Sequence, residues 1–315
     1  MTSLIQVPTS LSDINKDWVL AVLFVIEKVH APLSEVQILQ LKVTNQPNND
    51  GVLSDICKVH VEAKICEKFT HYNWFVKVTP HNLRALVTKH HLFDKEITFY
   101  CQLMPTLEEF MQARHFQLEF YKIPKYIYGD VTPHSEGVLV LQDLTPYGFD
   151  TFDSTTSLLP FEAMLASVKA LAEFHGLCIA FDLSSSRTLQ ELFPIFDPAR
   201  LMWVQQDMQQ FLTRVSESAT RFLKSCSSSS HHLDQVLWKK FANNMRSPRA
   251  IFEMEFARKS AWQCLQHGDS WHNNFLLKPC QDGHFSVHII DWQVIMRQRI
   301  FRGVSENTPN EFSLC

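Results

Sequence analysis

The sequence predicts an α+β protein of two lobes, a small β-rich lobe followed by a helical one. Two apolar runs of period two, Cys57 to Ala63 and Tyr72 to Val78, lie close together. A continuous apolar run follows at Gly137 to Leu141, and beyond it apolar residues recur at helical spacing. The composition agrees: of 315 residues, 45% are hydrophobic, 12% aromatic and 20% charged, which is enough for one large or two small cores and excludes a disordered or collagenous chain. Eight glycines against fourteen prolines disfavour a repetitive all-β architecture. Lys+Arg of 29 against Asp+Glu of 33 gives a formal charge of −4, so no global basic field advertises a nucleic-acid or anionic-membrane partner.

In chain order, Ser10 to Asp13 has a capping-box pattern, and an amphipathic helix through Trp18 to Ile26 follows it. The polar run Asn45 to Gly51 breaks the chain. Cys57, Val59, Val61 and Ala63 alternate with Lys58, His60 and Glu62, the period of a half-buried strand, and Tyr72 to Val78 repeats it. The two strands form a hairpin joined through Lys64 to Thr70 and closed by Pro80. A helix begins near Leu92, with Phe93, Ile97, Tyr100, Cys101 and Met104 as its buried stripe. Gly137 to Leu141 fits a strand covered on both faces, ending in a hinge at Gln142 to Gly148. Phe161 to Leu177 is a helix with Phe161, Leu165, Val168, Ala172 and His175 on its inner side, and Leu201 to Leu223 continues the spacing. Ser225 to His232 is a polar loop. The boundaries are 1–141 for the N-terminal helix and β-rich lobe, 142–293 for the helical lobe and 294–315 for a divergent tail, with a ligand expected in the inter-lobe cleft.

The longest apolar run, Trp18 to Ile26, is far shorter than the roughly 20 residues a bilayer span needs, and the first residues lack a secretory pattern. The expectation is a cytoplasmic chain without a membrane span. Its eight scattered cysteines, at 57, 66, 101, 178, 226, 264, 280 and 315, are expected to be reduced and mostly buried.

The chemistry concentrates near the end. His267-Gly268-Asp269 is followed by Asn274 five residues after the Asp, then an apolar strand, then a second one closed by Asp291. Three side-chain oxygens around one loop and hairpin suit phosphoryl transfer. Asp269 orients an acceptor hydroxyl and takes its proton, while the Asn274 amide oxygen and the Asp291 carboxylate hold Mg²⁺ against the phosphates of ATP. Trp271 and Trp292 are read as packing residues beside this site, and His175 as a hydrogen-bonded core histidine.

At these residues the chain resembles the kinase-like phosphotransferases that include choline kinase and the aminoglycoside phosphotransferases. It is most similar to their CHK kinase-like, or ecdysteroid-kinase-like, branch, through Trp271, Asn273-Asn274 and Ile290-Asp291-Trp292-Gln293. The resemblance implies a two-lobed protein-kinase-like fold and a small-molecule hydroxyl acceptor, steroid- or choline-like. It also implies that Phe75-Val76-Lys77-Val78 bears the phosphate-binding Lys77 and that Phe93 to Tyr100 bears its partner Glu96. Gln142, Asp143 and Leu144 would offer hinge backbone to adenine, and the amides of Gly51 and Ser54 would approach phosphate. Leu171 to His175 resembles the helix after the hinge. The family's helical lobe continues well past the metal-binding Asp, whereas only twenty-two residues follow Gln293, which suggests an incomplete helical lobe.

Two alternatives stay open. One is a catalytically impaired, kinase-like nucleotide-binding protein. The other is a metallohydrolase holding zinc through His267, Asp269 and His272.

Overall fold

The computed structural model describes residues 5–27, 35–46, 53–134, 136–152, 159–197, 213–215, 217–219, 221 and 263–299. Two compact units divide the chain: Met1–Leu189 with His267–Ile295, and Gln190–Gln266 with Met296–Cys315. The expected helix at Leu201 to Leu223 lies almost wholly outside the described residues. The polar loop at Ser225 to His232, Gly51, Cys226 and Cys315 lie outside them entirely.

The first unit is built on a five-stranded sheet in the order β1-β2-β3-β5-β4, with every neighbouring pair antiparallel. The strands are β1 (Val36–Asn45), β2 (Asp55–Ile65), β3 (Lys68–Val78), β4 (Tyr126–Val131) and β5 (Gly137–Gln142). Helix α1 (Lys16–Ile26) covers one face. There Trp18, Val19, Val22 and Leu23 pack on Cys57, Val59, Val61 and Ala63 of β2 and on Trp74, Val76 and Val78 of β3. The period-two pattern thus sorts side chains between the two faces as expected, and the residues between them face the other way. Sheet and helices together make the unit α+β.

Several expectations are corrected here. The Ser10 to Asp13 box closes only a 3₁₀ turn, Leu11–Asp13, in which the Asp13 carboxylate accepts from Thr9 and Ser10. Helix α1 starts afresh at Asn15, whose side chain accepts from the amides of Asp17 and Trp18 at 3.0 Å. The β2–β3 connection is two residues long: Cys66 and Glu67 have φ of +48° and +67°, the left-handed pair of a tight hairpin. No Asn-Gly marks it in the sequence. After Pro80 comes an unforeseen helix, α2 (Arg84–Lys89), ahead of α3 (Leu92–Thr98).

A π-helical turn at Phe99–Leu103 joins α3 to α4 (Met104–Arg114). The extra residue in that turn shifts the helical register, so Phe99, Leu103 and Leu107 enter the core while Ile97 and Cys101 are only half-buried. Helix α5 (Phe161–Ser184) buries the face opposite to the expected one. Ala163, Ala166, Ala170, Phe174, Leu177 and Phe181 are inside, whereas Phe161 and Val168 are 65% and 56% exposed. Small side chains let the helix approach its neighbours closely, and packing overrides the larger apolar residues on the other side. Helix α5 is long and apolar enough by length and composition to cross a membrane, although the core helix of a soluble protein passes the same test.

Glu173 of α5 ties down the segment ahead of β4. Its carboxylate accepts from the amides of Glu119, Phe120 and Tyr121 at 2.9, 2.7 and 2.7 Å. Glu173→Ala is expected to destabilise the chain by about 1–3 kcal/mol, the scale of hydrogen bonds to a charged acceptor. A urea midpoint equal to wild type would count against this tether.

A second hairpin, β7 (Phe275–Pro279) with β8 (Phe285–Ile289), completes the first unit. In the second unit β6 (Gln263–Gln266) pairs with β9 (Met296–Arg299), a strand that falls in the segment read from the sequence as a tail. Of the described cysteines, 57, 178 and 264 are buried, 101 is half-buried, and 66 and 280 are exposed; none of them is in a disulfide.

Candidate active site

Lys77 stands on the sheet face opposite α1, because it alternates with Val76 and Val78. Its ammonium donates to Glu96 Oε1 and Oε2 at 2.8 and 3.0 Å and to Asp291 Oδ1 at 2.7 Å. Lys77 and Glu96 are buried, at 6% and 0% exposure. Burial works against the Lys77 charge, but Asp291 and then Glu96 outweigh it and hold the ammonium well above its usual range. Burial raises the Glu96 carboxyl above the ordinary carboxylate value, against the opposing pull of Lys77. The Trp292 amide also donates to Glu96. Each charge is tolerable inside only because the others are present.

The second half of the site is the loop ahead of β7. Ile290 donates its amide to the Asn274 carbonyl at 3.0 Å, which brings Asn274 beside the residue preceding Asp291. Asn274 Nδ2 donates to the Asp269 carbonyl at 2.7 Å and to Asp269 Oδ2 at 3.2 Å. Asp269, Asn274 and Asp291 therefore meet in one place. Gly268, at φ +85°, makes the sharp turn that lets Asp269 reach it, a conformation in which a Cβ would be strained. Partial enclosure of the Asp269 carboxyl, and then the nearby Asp291 charge, raise its pKa, while the Asn274 bond opposes the shift.

His267 pins this loop from beneath, a role the sequence left unassigned although the residue heads the His-Gly-Asp motif. Nε2 donates to the Ile290 carbonyl at 2.7 Å, and Nδ1 accepts the Asp269 amide at 3.2 Å. With both nitrogens engaged, His267 has no lone pair for a metal, which overturns the zinc reading of His267, Asp269 and His272. Burial pushes the His267 pKa down to about 4, so the ring is neutral at physiological pH. The unfolded chain, with histidine near 6.5, binds the proton first, so the stability this neutral ring contributes is lost as pH falls from about 6.5 to 4. That loss is about 3 kcal/mol, and His267→Asn is expected to lack this limb of the pH–stability curve measured by urea unfolding.

Around these groups lies an aromatic bed. Trp292 is fully buried, stacks on Phe99 with centroids 4.1 Å apart, and meets Phe174, Tyr121 and His267. Trp271, by contrast, is 46% exposed and touches His272 edge-on, so it is not a packing residue. His175 also departs from expectation, since its buried Nε2 has no hydrogen-bond partner among the described residues. Two residues to which the sequence reading gave no role at the site border it: Tyr100, whose buried hydroxyl has no hydrogen-bond partner among the described residues and lies near Glu96 and Asp291, and Gln293, whose Nε2 donates to Asp291 Oδ2 at 3.4 Å. The π turn that aims Tyr100 has no signature in composition or spacing.

Of the remaining expected residues, Gly51 lies outside the described ones, and among the described residues Ser54, Gln142, Asp143 and Leu144 make no hydrogen bond to this cluster. Ser54 is buried two positions ahead of Ile56, the cross-strand neighbour of Lys77. The amides of Gln142 and Asp143 are spent on the carbonyls of Lys125 and Asn73, both at 2.9 Å. The Asp143 carboxylate caps the following turn through Thr145 and pairs with Lys58 at 3.8 Å. Among the described residues no hydrogen bond engages the amide of the buried Leu144.

The oxygen donors present fit a hard divalent cation. Asn274 Nδ2 is turned to Asp269, which leaves Oδ1 without a hydrogen bond among the described residues, and Asp291 Oδ2 receives only the long bond from Gln293.

A model of the ecdysteroid kinase-like family matches residues 48–299. The chain belongs to the ecdysteroid kinase-like family. The match spans β2 to β5 of the sheet, the Lys77–Glu96–Asp291 cluster and the Asp269 loop, and membership in this ecdysteroid kinase-like family supports a small-molecule phosphotransferase. No curated protein matches the chain. Among solved structures, the GDP complex of wild-type aminoglycoside 2′-phosphotransferase-IIIa is 15% identical, over 90% of this chain and 75% of that one, with a TM-score of 0.43. An ethanolamine kinase from Plasmodium vivax is 11% identical over 91% and 65%, with a TM-score of 0.41. Aminoglycoside phosphotransferase APH(4)-Ia is 16% identical over 87% and 71%, with a TM-score of 0.33.

Proposed function

We propose that this ecdysteroid kinase-like chain is an ATP- and Mg²⁺-dependent kinase that phosphorylates a hydroxyl of a small molecule, steroid- or choline-like, in the cytoplasm. One observation carries the reading: a buried lysine bonded at once to a helix glutamate and to Asp291, which adjoins the Asp269–Asn274 pair. An ion triad with no ligand to hold would be a poor use of a core, since apolar side chains of similar size stabilise at least as well.

In this reading residues 1–141 form the nucleotide lobe, 142–293 carry the catalytic loop and metal-binding strand within a protein-kinase-like arrangement, and 294–315 are a divergent segment that includes β9. Lys77 moves from Asp291 to phosphate oxygens while Glu96 keeps it oriented. The Leu144 amide, with the Gln142 and Asp143 backbone, faces adenine, and the amides of Gly51 and Ser54 close over phosphate. Asn274 and Asp291 hold Mg²⁺, which supplies neutralisation of the phosphate charge when bound. Asp269 accepts the acceptor's hydroxyl proton, and its raised pKa makes it a better base than an ordinary aspartate.

The test is ADP release from ATP with a panel of hydroxylated steroids, cholines and aminoglycosides. Turnover is expected to require acceptor and Mg²⁺ and to fall to background with EDTA. Thermal stabilisation by ATP with no transfer to any acceptor would instead identify a non-catalytic nucleotide-binding protein.

A further inference from the structure

We propose that His60, Glu62 and His71 form a second metal site, for one divalent transition-metal ion, on the β2–β3 hairpin. These residues share the sheet face opposite α1. Glu62 lies directly across from His71, and His60 is two positions along β2 from Glu62. Cross-strand partners with Cβ atoms about 5 Å apart converge without any backbone movement. His60 Nε2 is 3.6 Å and His71 Nδ1 3.8 Å from the same oxygen, Glu62 Oε1, and one ligand atom from each residue lies within 4.8 Å of the others. Around a tetrahedral zinc with bonds of about 2.0–2.1 Å, ligand atoms sit about 3.3–3.4 Å apart, so small side-chain rotations complete the geometry.

The hydrogen bond behind His60 decides what the cluster wants. Its Nδ1 lies 2.7 Å from Asn73 Oδ1, which can only accept. Nδ1 therefore carries the proton, and in the neutral ring the Nε2 lone pair faces the Glu62 carboxylate. A metal cation seated between these two acceptors would satisfy both. An imidazole oriented through its other N–H to an amide oxygen is how proteins present histidine to a metal. The donors are two nitrogens and one oxygen, which select zinc over magnesium or calcium and leave a fourth position for water. The rigid backing matters as well: the alternate residues Val59, Val61 and Ala63 are buried against α1, so the strands bearing the ligands are held in register. Asn73 lies four residues from Lys77 on β3, about 13 Å along the strand, so this site is separate from the Asp291 cluster. Bound metal would clamp β2 to β3 at the solvent-exposed end of the hairpin.

The experiment uses the full chain, stripped by chelator and returned to excess Mg²⁺, then titrated calorimetrically with ZnCl₂ at pH 7.5. Wild type is expected to take up one Zn²⁺ through this site, to gain thermal stability, and to show the visible bands of four-coordinate cobalt when Co²⁺ replaces it. His71→Asn, at an exposed position, and His60→Asn are each expected to bind at least about 10-fold more weakly and to lose the cobalt bands. Circular dichroism and the metal-free melting temperature report whether each variant is folded. The site is overturned if wild type takes up no zinc. Equal zinc affinity in folded His71→Asn and His60→Asn would overturn it too, since the metal would then sit on other groups, such as the exposed thiols of Cys66 and Cys280.

Discussion

Asp269→Asn lowers turnover by about 10²- to 10⁴-fold and leaves nucleotide affinity near wild type. The substitution keeps the side chain's size and an oxygen that still accepts from Asn274 Nδ2, now 3.2 Å from Oδ2, so the loop keeps its shape. What disappears is the ability to take a proton. Asp269 is also the member of the trio whose carboxyl is crowded and placed near another negative charge, which raises its pKa. The wild-type rate is therefore expected to fall on acidification as Asp269 protonates, at a pH above that of an ordinary aspartate, and the variant's residual rate to lack this limb. Steady-state kinetics across pH, with nucleotide affinity measured separately, separate this role from simple binding. Unchanged turnover in the variant would remove Asp269 from the chemistry.

Lys77→Met produces the largest loss of stability, about 3–5 kcal/mol, together with loss of turnover. It deletes the one cation shared by Glu96 and Asp291 and leaves the fully buried Glu96 carboxylate without a counter-charge. The deficit shrinks as pH falls, because Glu96 then takes up a proton and no longer carries an unpaired charge. Adding Glu96→Gln to Lys77→Met restores part of the stability and none of the activity. Urea unfolding of the single and double variants measures both effects. A Lys77→Met chain as stable as wild type would mean that the ion triad is not formed in solution.

Both effects depend on residues that are legible in the sequence because they are tied to local pattern. Lys77 sits in an alternating strand whose partners Val76 and Val78 must face α1, so its side chain has to face the other way. Asp269 and Asn274 share one short loop, with Asp291 at the end of the hairpin behind it, and spacing alone brings loop and hairpin ends together. The wrong face of α5 has an equally physical source. Phe161, Leu165, Val168 and Ala172 form a plausible stripe, but Ala163, Ala166 and Ala170 on another face permit closer packing, and contact distance is not encoded by hydrophobicity. Strand β1 alternates at Val36 and Ile38 and again at Leu41 and Val43, but the bulge after Ile38 breaks the period between them, while β4 and helix α2 are short elements with mixed burial, stabilised mainly by their neighbours.

By itself the sequence determined which side chains alternate across the central strands and marked Asp269, Asn274 and Asp291 as candidate oxygen donors, while Lys77 and Glu96 were singled out through the family resemblance. Only the tertiary structure decided that Lys77 bridges Glu96 and Asp291, partners 19 and 214 residues away, and that His267 spends both ring nitrogens on backbone. The difference is one of range. Alternation and loop spacing act within a few residues, where chain geometry leaves little choice, whereas the pairing of buried charges is settled only when folding excludes water and leaves each charge no partner but another.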